Sequence, residues 1–256
     1  MTEELPESHP RYQSLRTRHR IEAGVDAGIT SRQGLISEGR GEAFDYLLGE
    51  ETTPSADGAE RAAAALLLLA DHPVISVNGN VAALAPDEVV ELATVVGADL
   101  EVNLFNRTEE RMRAIAAHLH DHGAAEVKGL AADARLPGID HPRAQVDADG
   151  IADADVVLVP LEDGDRAEAL AAMGKREIVV DLNPLSRSPR RAAVPVIDNL
   201  VRALPNITRH ARALRDAPRE ALERIVADFD PEAALADAER RIREGAGAAA
   251  DADAER

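Results

Sequence analysis

From Val74 onward, short runs of β-branched and other apolar residues alternate with longer segments that have the spacing of helices. This alternation is typical of an α/β fold, because parallel neighbours need a long crossover connection, which is usually a helix. The pattern predicts a parallel sheet of about six strands, at 74–77, 100–105, 126–130, 156–160, 178–182 and 194–197. It predicts helices on both faces of the sheet, at 87–96, 108–122, 166–173 and 199–216.

Further helices are predicted on either side of the sheet. A basic helix is expected at 11–27, a short helix at 41–48, and a strongly apolar helix at 56–70 that would cover either the sheet or a partner subunit. Two C-terminal helices are expected to start near Pro218 and Pro231, since proline is favoured in the first helical turn.

The length of the chain fits a single domain. Its 256 residues, 45% of them hydrophobic, are enough for one substantial core. We expect one α/β domain over 1–243, made of a helical part at 8–70, a sheet core at 74–205 and C-terminal helices at 206–243. Residues 244–256 are rich in Ala, Gly and Asp, a composition that predicts a disordered tail.

The chain has a formal net charge of −18 and only two lysines, Lys128 and Lys175. An acidic surface repels phosphate backbones and anionic lipids, which argues against nucleic-acid and membrane-surface binding. Such a composition suits a cytoplasm of very high salt, where repulsion between charges is screened. GC-rich codon usage would explain arginine in place of lysine but not the acidic excess. Any anionic ligand therefore needs a local cluster of arginines.

Cysteine is absent, which excludes disulfides, thiolate metal sites and a thiol nucleophile. The N-terminus has neither the basic start nor the apolar stretch of a signal peptide. The longest apolar run, at 62–70, is too short to span a bilayer. We therefore expect a soluble, cytoplasmic protein.

Ligands of parallel α/β sheets bind at the carboxyl ends of the strands, where loops and helix N-termini meet. After the first strand, the loop Asn78-Gly79-Asn80 can turn sharply and present backbone N–H groups and two carboxamides to an anion. The loop is neither a Walker A motif nor a Gly-x-Gly-x-x-Gly dinucleotide fingerprint. A plain turn between strand and helix stays an alternative.

Two acidic residues follow the strand predicted at 156–160. Asp163 and Asp165 are candidates for holding Mg²⁺ or the ammonium group of an amine substrate, and they are the candidate catalytic residues. Asp165 would equally serve as the N-cap of the helix that follows. Both interpretations stay open.

The last two predicted strands also end in polar segments. Arg187 offers a planar fork of donors to a triphosphate, and Ser186 or Ser188 can donate hydrogen bonds to it. A solvated basic loop is the competing explanation for this segment. Asp198 and Asn199 can bind ribose hydroxyls or adenine N6, or can simply cap the next helix.

Three histidines lie near one predicted helix end. His118 and His122 share a helix face at a spacing of four residues, which suits metal binding in principle. We interpret both, and His120, as structural or solvated, because helix C-termini attract cationic side chains and the sequence indicates no third ligand. No metal site is assigned.

Several long and unusual strings occur between about Ser8 and Pro205. They are HPRYQSL, GLISEGRGEAFDYLLGE, PVISVNGNVAAL, LEVNLFNRTEER, ADVVLVPLEDGDRAEAL, MGK and VVDLNPLSR. In order and spacing they resemble the strings of the archaeal phosphopantothenate synthetases. With the composition, the resemblance implies a halophilic archaeal source.

The resemblance implies a homodimer with a Rossmann-like nucleotide-binding core. It also implies a ligase that joins (R)-4-phosphopantoate to β-alanine and splits ATP to AMP and diphosphate, a step of coenzyme A biosynthesis. By resemblance, ATP would be held by Arg18, Arg40, Asp181, Leu182, Asn183, Arg187, Ser188, Asp198 and Asn199. For the phosphate of phosphopantoate, our hypothesis is the group Asn78, Gly79, Asn80, Asn103 and Arg107.

The charges of these substrates predict how the reaction runs. A carboxylate is a poor electrophile toward amines, so we expect an acyl-adenylate intermediate. Arginines, with Mg²⁺, are expected to offset the repulsion between the two anionic substrates. Two other functions stay as alternatives, a nicotinamide-dependent oxidoreductase on a Rossmann core and a non-catalytic nucleotide-binding regulator.

Overall fold

Five parallel strands form the central sheet of the computed structural model, which describes Pro6, residues 12–161 and residues 164–254, with side chains up to residue 245. In chain order the strands are β1 (Pro73–Val77), β2 (Asp99–Val102), β3 (Ala134–Arg135), β4 (Gln145–Val146), β5 (Val156–Pro160), β6 (Arg176–Asp181) and β7 (Val194–Ile197). The central sheet has the order β2-β1-β5-β6-β7, whereas β3 and β4 form a separate antiparallel pair. The predicted α/β class is confirmed.

Helices precede, connect and follow these strands. They are α1 (Tyr12–Asp26), α2 (Arg32–Leu48), α3 (Pro54–Leu69), α4 (Gly79–Leu84), α5 (Pro86–Val96), α6 (Glu109–Asp121), α7 (Gly164–Ala172), α8 (Arg187–Arg191), α9 (Leu200–Leu214), α10 (Arg219–Asp228) and α11 (Pro231–Ala254). None of the described helices is long and apolar enough to cross a bilayer.

Alternate residues of the strands bury their side chains against the two opposite faces of the sheet. Ile75 and Leu158 belong to one apolar cluster, which includes residues of α3, α5, α6 and α9. Val74 and Val157 belong to another, which includes Leu170 of α7. Because both faces are covered, the strands read as nearly continuous apolar runs, and this is why the sequence locates them well.

The apolar segment predicted at 56–70 lies inside the protein. Residues 62–67 of α3 are at most 1% exposed, and the helix packs against α9 and α10. Thr53 caps it through a hydrogen bond from the Ala56 amide at 3.2 Å, and Pro54 occupies the first turn. Of the two predicted roles, covering the sheet is the one that the structure shows.

The strand predicted at 126–130 is wrong. Lys128 forms a single bridge to Glu101 and exchanges backbone hydrogen bonds with Leu100 and Val102 at 2.8 and 3.0 Å. Gly129 then adopts a φ of +97°, and a Cβ at this position would clash with the Val102 carbonyl oxygen. The left-handed residue ends the pairing after one bridge, so the central sheet has five strands rather than six.

Helix α2 is much longer than the helix predicted at 41–48, since it begins at Arg32. Gly34, Gly39 and Gly41 lower the helix propensity of this segment, which is why local patterns miss it. Two of these glycines allow close tertiary packing, because a side chain there would meet its neighbours. Gly34 packs against Thr30 and Asn80, and Gly41 packs against Asn199. Close packing thus outweighs a cost of about 1 kcal/mol for each glycine.

The remaining predicted boundaries differ from the observed ones by a few residues. The largest difference is at β2, which ends at Val102 rather than at residue 105, because Asn103 and the residues after it turn toward the sheet edge. The backbone of α11 continues as helix to Ala254, through most of the segment 244–256. Disorder of that segment in solution stays a prediction.

Candidate functional site

A cavity of about 230 Å³ lies at the carboxyl ends of β1, β2 and β5, and we name it the strand-end cavity. This edge is where the chain changes direction across the sheet, since β1 has β2 on one side and β5 on the other. The described lining contains no carboxylate and four arginines, which are Arg40, Arg111, Arg143 and Arg166. In a chain of net charge −18, this is a local site for anions.

The predicted anion loop after β1 does line this cavity, but its carboxamides hold the loop in place. Asn78 Oδ1 accepts hydrogen bonds from the backbone N–H groups of Asn80 and Val81 at 3.0 and 3.1 Å, so Asn78 caps α4. Asn80 Oδ1 accepts from the Thr30 hydroxyl at 2.6 Å, and its Nδ2 donates to the Gly34 carbonyl at 3.1 Å. The Asn80 amide therefore ties the loop to Thr30 and α2, whereas the Asn78 amide caps α4 and donates to the Pro160 carbonyl at 2.9 Å.

Gly79 is required at the tip of this loop by close packing. A Cβ here would lie 2.6 Å from the Ile29 carbonyl oxygen and 3.0 Å from Arg111 Nη2. Any larger residue would push the loop away from the segment that precedes α2. Glycine at this position is explained by close packing. It is not explained by a left-handed backbone, because Gly79 does not have a positive φ.

Asn103 occupies the centre of a buried polar network at the end of β2. Its Oδ1 accepts hydrogen bonds from Ser76 Oγ at 2.8 Å and from Arg166 Nη2 at 2.9 Å. Its Nδ2 donates to Glu101 Oε1 at 2.9 Å, and Glu101 Oε2 accepts from the Ile151 amide at 2.6 Å. Burial raises the pKa of Glu101, and these hydrogen bonds counteract that effect. The network fixes Arg166 against the cavity wall.

Arg111 reaches the cavity from the first turn of α6. It donates to the Asn106 carbonyl at 3.0 Å and to the Ile29 carbonyl at 3.4 Å, while its Nε is buried with no hydrogen-bond partner among the described residues. Burial lowers the pKa of Arg111. A guanidinium with a spare buried donor and no carboxylate beside it is suited to an incoming anion.

Arg107 lies outside the strand-end cavity. Its Nη2 donates to the Gly129 carbonyl at 2.5 Å, and the side chain borders a separate surface depression that includes Arg135 and His141. Of the five residues that we proposed for the substrate phosphate, the structure thus brings together Asn78, Gly79, Asn80 and Asn103. The role of Arg107 stays a prediction.

Asp165 lies between two arginines. Its carboxylate accepts from Arg187 Nη2 at 2.9 Å and from Arg143 Nη2 at 3.0 Å, and these partners lower its pKa. It sits in the first turn of α7, one residue after the helix begins, rather than at the N-cap. The other candidate, Asp163, lies outside the described residues.

The turn after β6 is organised by Asp181, one of the residues assigned to ATP. Asp181 Oδ1 accepts from the backbone N–H groups of Leu182 and Asn183 at 2.7 and 3.2 Å, and Oδ2 accepts from Ser186 Oγ at 2.7 Å. Arg187 follows as the first residue of α8, with its side chain exposed, whereas Ser188 is buried. The turn is preformed without a ligand.

Asp198 and Asn199 belong to a buried charge network at the end of β7. Asp198 accepts from Thr52 Oγ1 at 2.6 Å and from Arg202 Nη2 at 2.6 Å. Asp45 of α2 accepts from the same Arg202 nitrogen at 2.7 Å and from Asn199 Nδ2 at 3.1 Å. Asn199 also caps α9, as the alternative interpretation predicts. The network joins α2 to the last strand.

A second, smaller cavity of about 90 Å³ lies between α1, α2 and α9, and we name it the helix cavity. Its lining includes one arginine, Arg202, and four carboxylates, those of Glu38, Glu42, Asp45 and Glu50. Burial and the neighbouring carboxylates raise the pKa of Glu38 to about 7. This cavity is therefore acidic.

The two N-terminal arginines assigned to ATP are placed differently. Arg18 of α1 donates from Nε to Glu42 Oε2 at 2.8 Å, and Tyr46 donates its hydroxyl to the other Glu42 oxygen at 2.7 Å. Arg40 of α2 lines the strand-end cavity. Helix α2 thus borders both cavities and links the carboxyl end of β1 to that of β7.

The histidines of α6 make local contacts. The rings of His118 and His122 lie 4.5 Å apart, and His122 Nδ1 is 2.6 Å from Asp87 Oδ1. His120 Nδ1 is 2.7 Å from the Ala124 carbonyl oxygen. Within the described residues they belong to no group of three metal ligands, and their structural role stays a prediction.

Three arginines of the strand-end cavity were not predicted, namely Arg111, Arg143 and Arg166. Arg111 and Arg166 each occupy the third position of the helix that follows a strand of the sheet, so a search of first helical turns would have found them. Arg143 comes from the short helical turn 142–144 before β4, and its guanidinium carbon lies 5.3 Å from the Phe105 ring centroid. No local signal marks Arg143.

Known proteins resemble this chain over most of its length. Residues 55–245 match the family model described as phosphopantothenate/pantothenate synthetase. A protein of Thermococcus kodakarensis named 4-phosphopantoate–β-alanine ligase is 54% identical, over 94% of this chain and 92% of its own. Proteins of the same name from Methanosarcina mazei and Methanospirillum hungatei are 54% and 57% identical, over 94% and 82% of this chain and 95% and 86% of their own.

These matches confirm the family that the sequence strings indicate. They extend beyond Pro205 into the C-terminal helices, where the strings gave no specific resemblance. An anion cavity at the change of direction in a doubly wound sheet is consistent with an enzyme that binds phosphorylated substrates. The chain belongs to the phosphopantothenate/pantothenate synthetase family.

Proposed function

We propose that this chain joins 4-phosphopantoate to β-alanine at the expense of ATP, giving 4′-phosphopantothenate, AMP and diphosphate in coenzyme A biosynthesis. Its relatives carry the name of this ligase. The observation that supports it most is the strand-end cavity, whose described lining has four arginines and no carboxylate in a chain of net charge −18. A substrate with both a phosphate and a carboxylate suits such a lining.

In this proposal, phosphopantoate occupies the strand-end cavity. Arg111 and the backbone N–H groups near Asn78, Gly79 and Asn80 bind its phosphate, since Arg111 has a buried donor without a partner among the described residues. Arg166 and Asn103 line the opposite side and orient the substrate carboxylate toward the nucleotide. The predicted contact from Arg107 would require this side chain to leave the Gly129 carbonyl.

ATP is assigned to the carboxyl ends of β6 and β7. Backbone and side-chain groups at Asp181, Leu182, Asn183, Ser188, Asp198 and Asn199 would hold the nucleoside, with Arg187, Arg18 and Arg40 at the phosphates. Arg40 already lines the strand-end cavity, so the α-phosphate would lie between Arg40 and the substrate carboxylate. This placement sets the two reacting groups side by side.

The reaction would proceed in two steps. A carboxylate oxygen of phosphopantoate attacks the α-phosphorus of ATP, the bond to the bridging oxygen breaks, and diphosphate leaves. The neutral amine of β-alanine then attacks the acyl carbon, and AMP leaves with the bonding electron pair. Arginines stabilise the negative charge that develops on the phosphorus oxygens in the first step.

Asp165 would hold the ammonium group of β-alanine before the second step. Arg187 and Arg143 lower the pKa of this carboxyl, so it stays ionised and is a weak base, and one of the two arginines would have to turn away for the ammonium group to take its place. The proton of the ammonium group therefore goes to water or to a phosphate oxygen. Asp163 stays a second candidate for the same role.

The described lining of the strand-end cavity offers Mg²⁺ no carboxylate. Both oxygens of Asp165 already contact arginines, at 2.9 and 3.0 Å. These residues do not fit a metal ion held by protein carboxylates. We therefore assign Mg²⁺ to the substrate, as the complex of ATP with the ion, and route no step through a protein-bound metal.

A homodimer is also part of the proposal. Helix α2 carries four exposed apolar side chains, with Ile36 75% exposed, Tyr46 65%, and Leu35 and Leu47 39% each. An unusual density of exposed apolar residues on one helix marks a contact surface. Light scattering after size exclusion should give twice the chain mass, and Ile36→Asp should give the single chain.

We place the enzyme in the cytoplasm of a halophilic archaeon.

Neither rival function has a specific feature in its favour. The loop after β1 lacks the dinucleotide fingerprint, and the relatives are named ligases rather than oxidoreductases. A regulator without catalytic activity would bind ATP but release no diphosphate when both other substrates are supplied.

Incubation with ATP, 4-phosphopantoate and β-alanine in high salt, followed by mass spectrometry, tests the proposal. We expect AMP and 4′-phosphopantothenate in equal amounts. AMP formation should depend on the presence of both 4-phosphopantoate and β-alanine. Arg166→Gln should abolish most of the product, whereas Arg113→Gln, which changes an exposed arginine of α6, should not. Formation of ADP would overturn the adenylate route, and no product would overturn the function.

A further inference from the structure

Glu60 is a fully buried acid on α3, at 0% exposure. Neither of its carboxylate oxygens has a hydrogen-bond partner among the described residues. The Asn206 amide is close enough to favour the ionised form of Glu60, but Nδ2 donates one of its two hydrogens to Thr52 Oγ1 at 3.0 Å and makes no hydrogen bond of good geometry to Glu60 among the described residues. A buried carboxyl without partners is costly, so either a proton or a cation must compensate it.

Two further ligand groups face this carboxylate. Asp57 lies one helical turn before Glu60 on α3, and His210 comes from α9, which packs against α3. One donor atom from each of the three side chains lies within 4.8 Å of the others. Asp57 Oδ1 and His210 Nε2 are hydrogen-bonded at 2.9 Å, so an ion held by both would move them apart by about 0.5 Å, to the ~3.4 Å that separates tetrahedral ligands at bonds of 2.0–2.2 Å.

We propose that Asp57, Glu60 and His210 form a binding site for a divalent transition-metal ion such as Zn²⁺, which joins α3 to α9. Imidazole with two carboxylates suits Zn²⁺, whereas Mg²⁺ and Ca²⁺ prefer oxygen ligands alone. The ion supplies the positive charge that the buried carboxylate lacks.

Two contacts must change for the ion to bind, since the ion would replace the hydrogen bond between His210 and Asp57 and would also require Arg209 to leave Asp57. Arg209 Nη2 donates to Asp57 Oδ1 at 2.9 Å, but the Arg209 side chain is 59% exposed and can turn outward into solvent. An exposed ion pair of this kind contributes little stability, so its loss is a small opposing effect. His210 must also present Nε2 without a proton, as every imidazole ligand does.

None of the three residues belongs to the groups assigned to the substrates, and none lines the strand-end cavity or the helix cavity. A metal ion would neutralise Glu60 as a carboxylate, whereas without an ion the same group would be held as the neutral acid.

Zinc binding to the full chain distinguishes these two states. Protein stripped with a chelator is dialysed against Zn²⁺ in about 1 M NaCl, where nonspecific attraction to the acidic surface is screened, and bound zinc is measured by mass spectrometry. We expect one Zn²⁺ per chain. Glu60→Gln and His210→Gln should each weaken binding at least about 30-fold, in line with the loss of one metal ligand.

The matched control is His122→Gln. It removes another imidazole that contacts an aspartate, Asp87, at 2.6 Å, but that among the described residues belongs to no group of three ligands. This variant should bind Zn²⁺ like the original chain, and Zn²⁺ should raise the melting temperature of both but not of Glu60→Gln. Circular dichroism checks that each variant is folded.

Two results would overturn the site. One is the absence of stoichiometric Zn²⁺ in the original chain. The other is equal binding by the original chain, Glu60→Gln and His122→Gln. In either case Glu60 is a buried neutral acid and needs no ion.

Discussion

The strand-end cavity and the helix cavity both border α2 but differ in charge. The former has four arginines and no described carboxylate, whereas the latter has four carboxylates and one arginine. At the nucleotide end, Arg18 contacts Glu42 and Arg187 contacts Asp165. In the proposed arrangement, phosphopantoate meets a lining without a described carboxylate in the strand-end cavity, although Arg143 pairs with Asp165, whereas ATP would have to replace the ion pairs of Arg18 and Arg187. Mutating an arginine should therefore reduce activity more in the strand-end cavity than at the proposed nucleotide site.

The largest effect should come from Arg166→Gln. The change removes a charge from a buried network, in which Arg166 donates to Asn103 at 2.9 Å, and leaves Asn103 with one donor fewer. We expect kcat/KM for phosphopantoate to fall about 100-fold, which is about 2.7 kcal/mol of transition-state stabilisation. The measurement is diphosphate release at saturating ATP.

Arg113→Gln is the control for this experiment, because Arg113 is exposed and pairs only locally with Glu109 at 2.9 Å. It should change kcat/KM less than about twofold. An Arg166→Gln enzyme that is folded and has nearly full activity would remove the strand-end cavity from the mechanism.

The next largest effect is on the KM for phosphopantoate, and it tests whether Arg111 or Arg107 binds the substrate phosphate. Arg111→Ala should raise the KM for phosphopantoate about 10- to 50-fold and leave the KM for ATP within about twofold, because it removes a charged donor to one substrate alone. Steady-state kinetics with each substrate varied in turn gives both constants. Arg107→Ala should have a smaller effect, since Arg107 contacts the Gly129 carbonyl outside the cavity. If Arg107→Ala has the greater effect, the sequence-based assignment of the phosphate site is right and ours to Arg111 is not.

At the proposed nucleotide site, Arg18 and Glu42 form an ion pair. Removing the arginine and removing the carboxylate should change the KM for ATP in opposite directions. Arg18→Ala should raise the KM for ATP about five- to tenfold, since it removes a proposed phosphate contact. Glu42→Gln should lower it about two- to threefold, because it removes the competing carboxylate that accepts from Arg18 Nε at 2.8 Å. Steady-state kinetics with ATP varied at saturating phosphopantoate and β-alanine measures both. The same direction of change in both variants would show that Arg18 does not meet the nucleotide.

The last prediction concerns stability rather than activity, as a pH dependence at the helix cavity. Burial raises the pKa of Glu38 to about 7, above the ordinary value of 4.5, so the folded protein binds this proton more tightly than the unfolded chain does. Stability should therefore fall as pH rises from about 4.5 to 7, with a slope of at most about 1.4 kcal/mol per pH unit. Urea unfolding of Glu38→Gln should show a shallower fall across this window. An unchanged slope would mean that Glu38 is ionised in the folded state.

The sequence predicted the fold better than it predicted the site. The strands at 156–160 and 194–197 have the observed bounds, because strands buried on both faces must be apolar throughout. The strand at 126–130 failed because one left-handed glycine ends its pairing. Helix α2 was found only in part, since its glycines lower local propensity and gain their value from packing.

The sequence by itself determined the α/β class, the approximate strand positions and, through its long strings, the family. These properties depend on local periodicity and on residue identity. Only the tertiary structure decided which arginines share the strand-end cavity and which of them already form ion pairs. It also decided that α2 joins the carboxyl end of β1 to that of β7. Ion pairing depends on distances of a few ångströms between residues far apart in the chain, and packing alone sets those distances. The opposite charge of the two cavities is therefore a property of the fold.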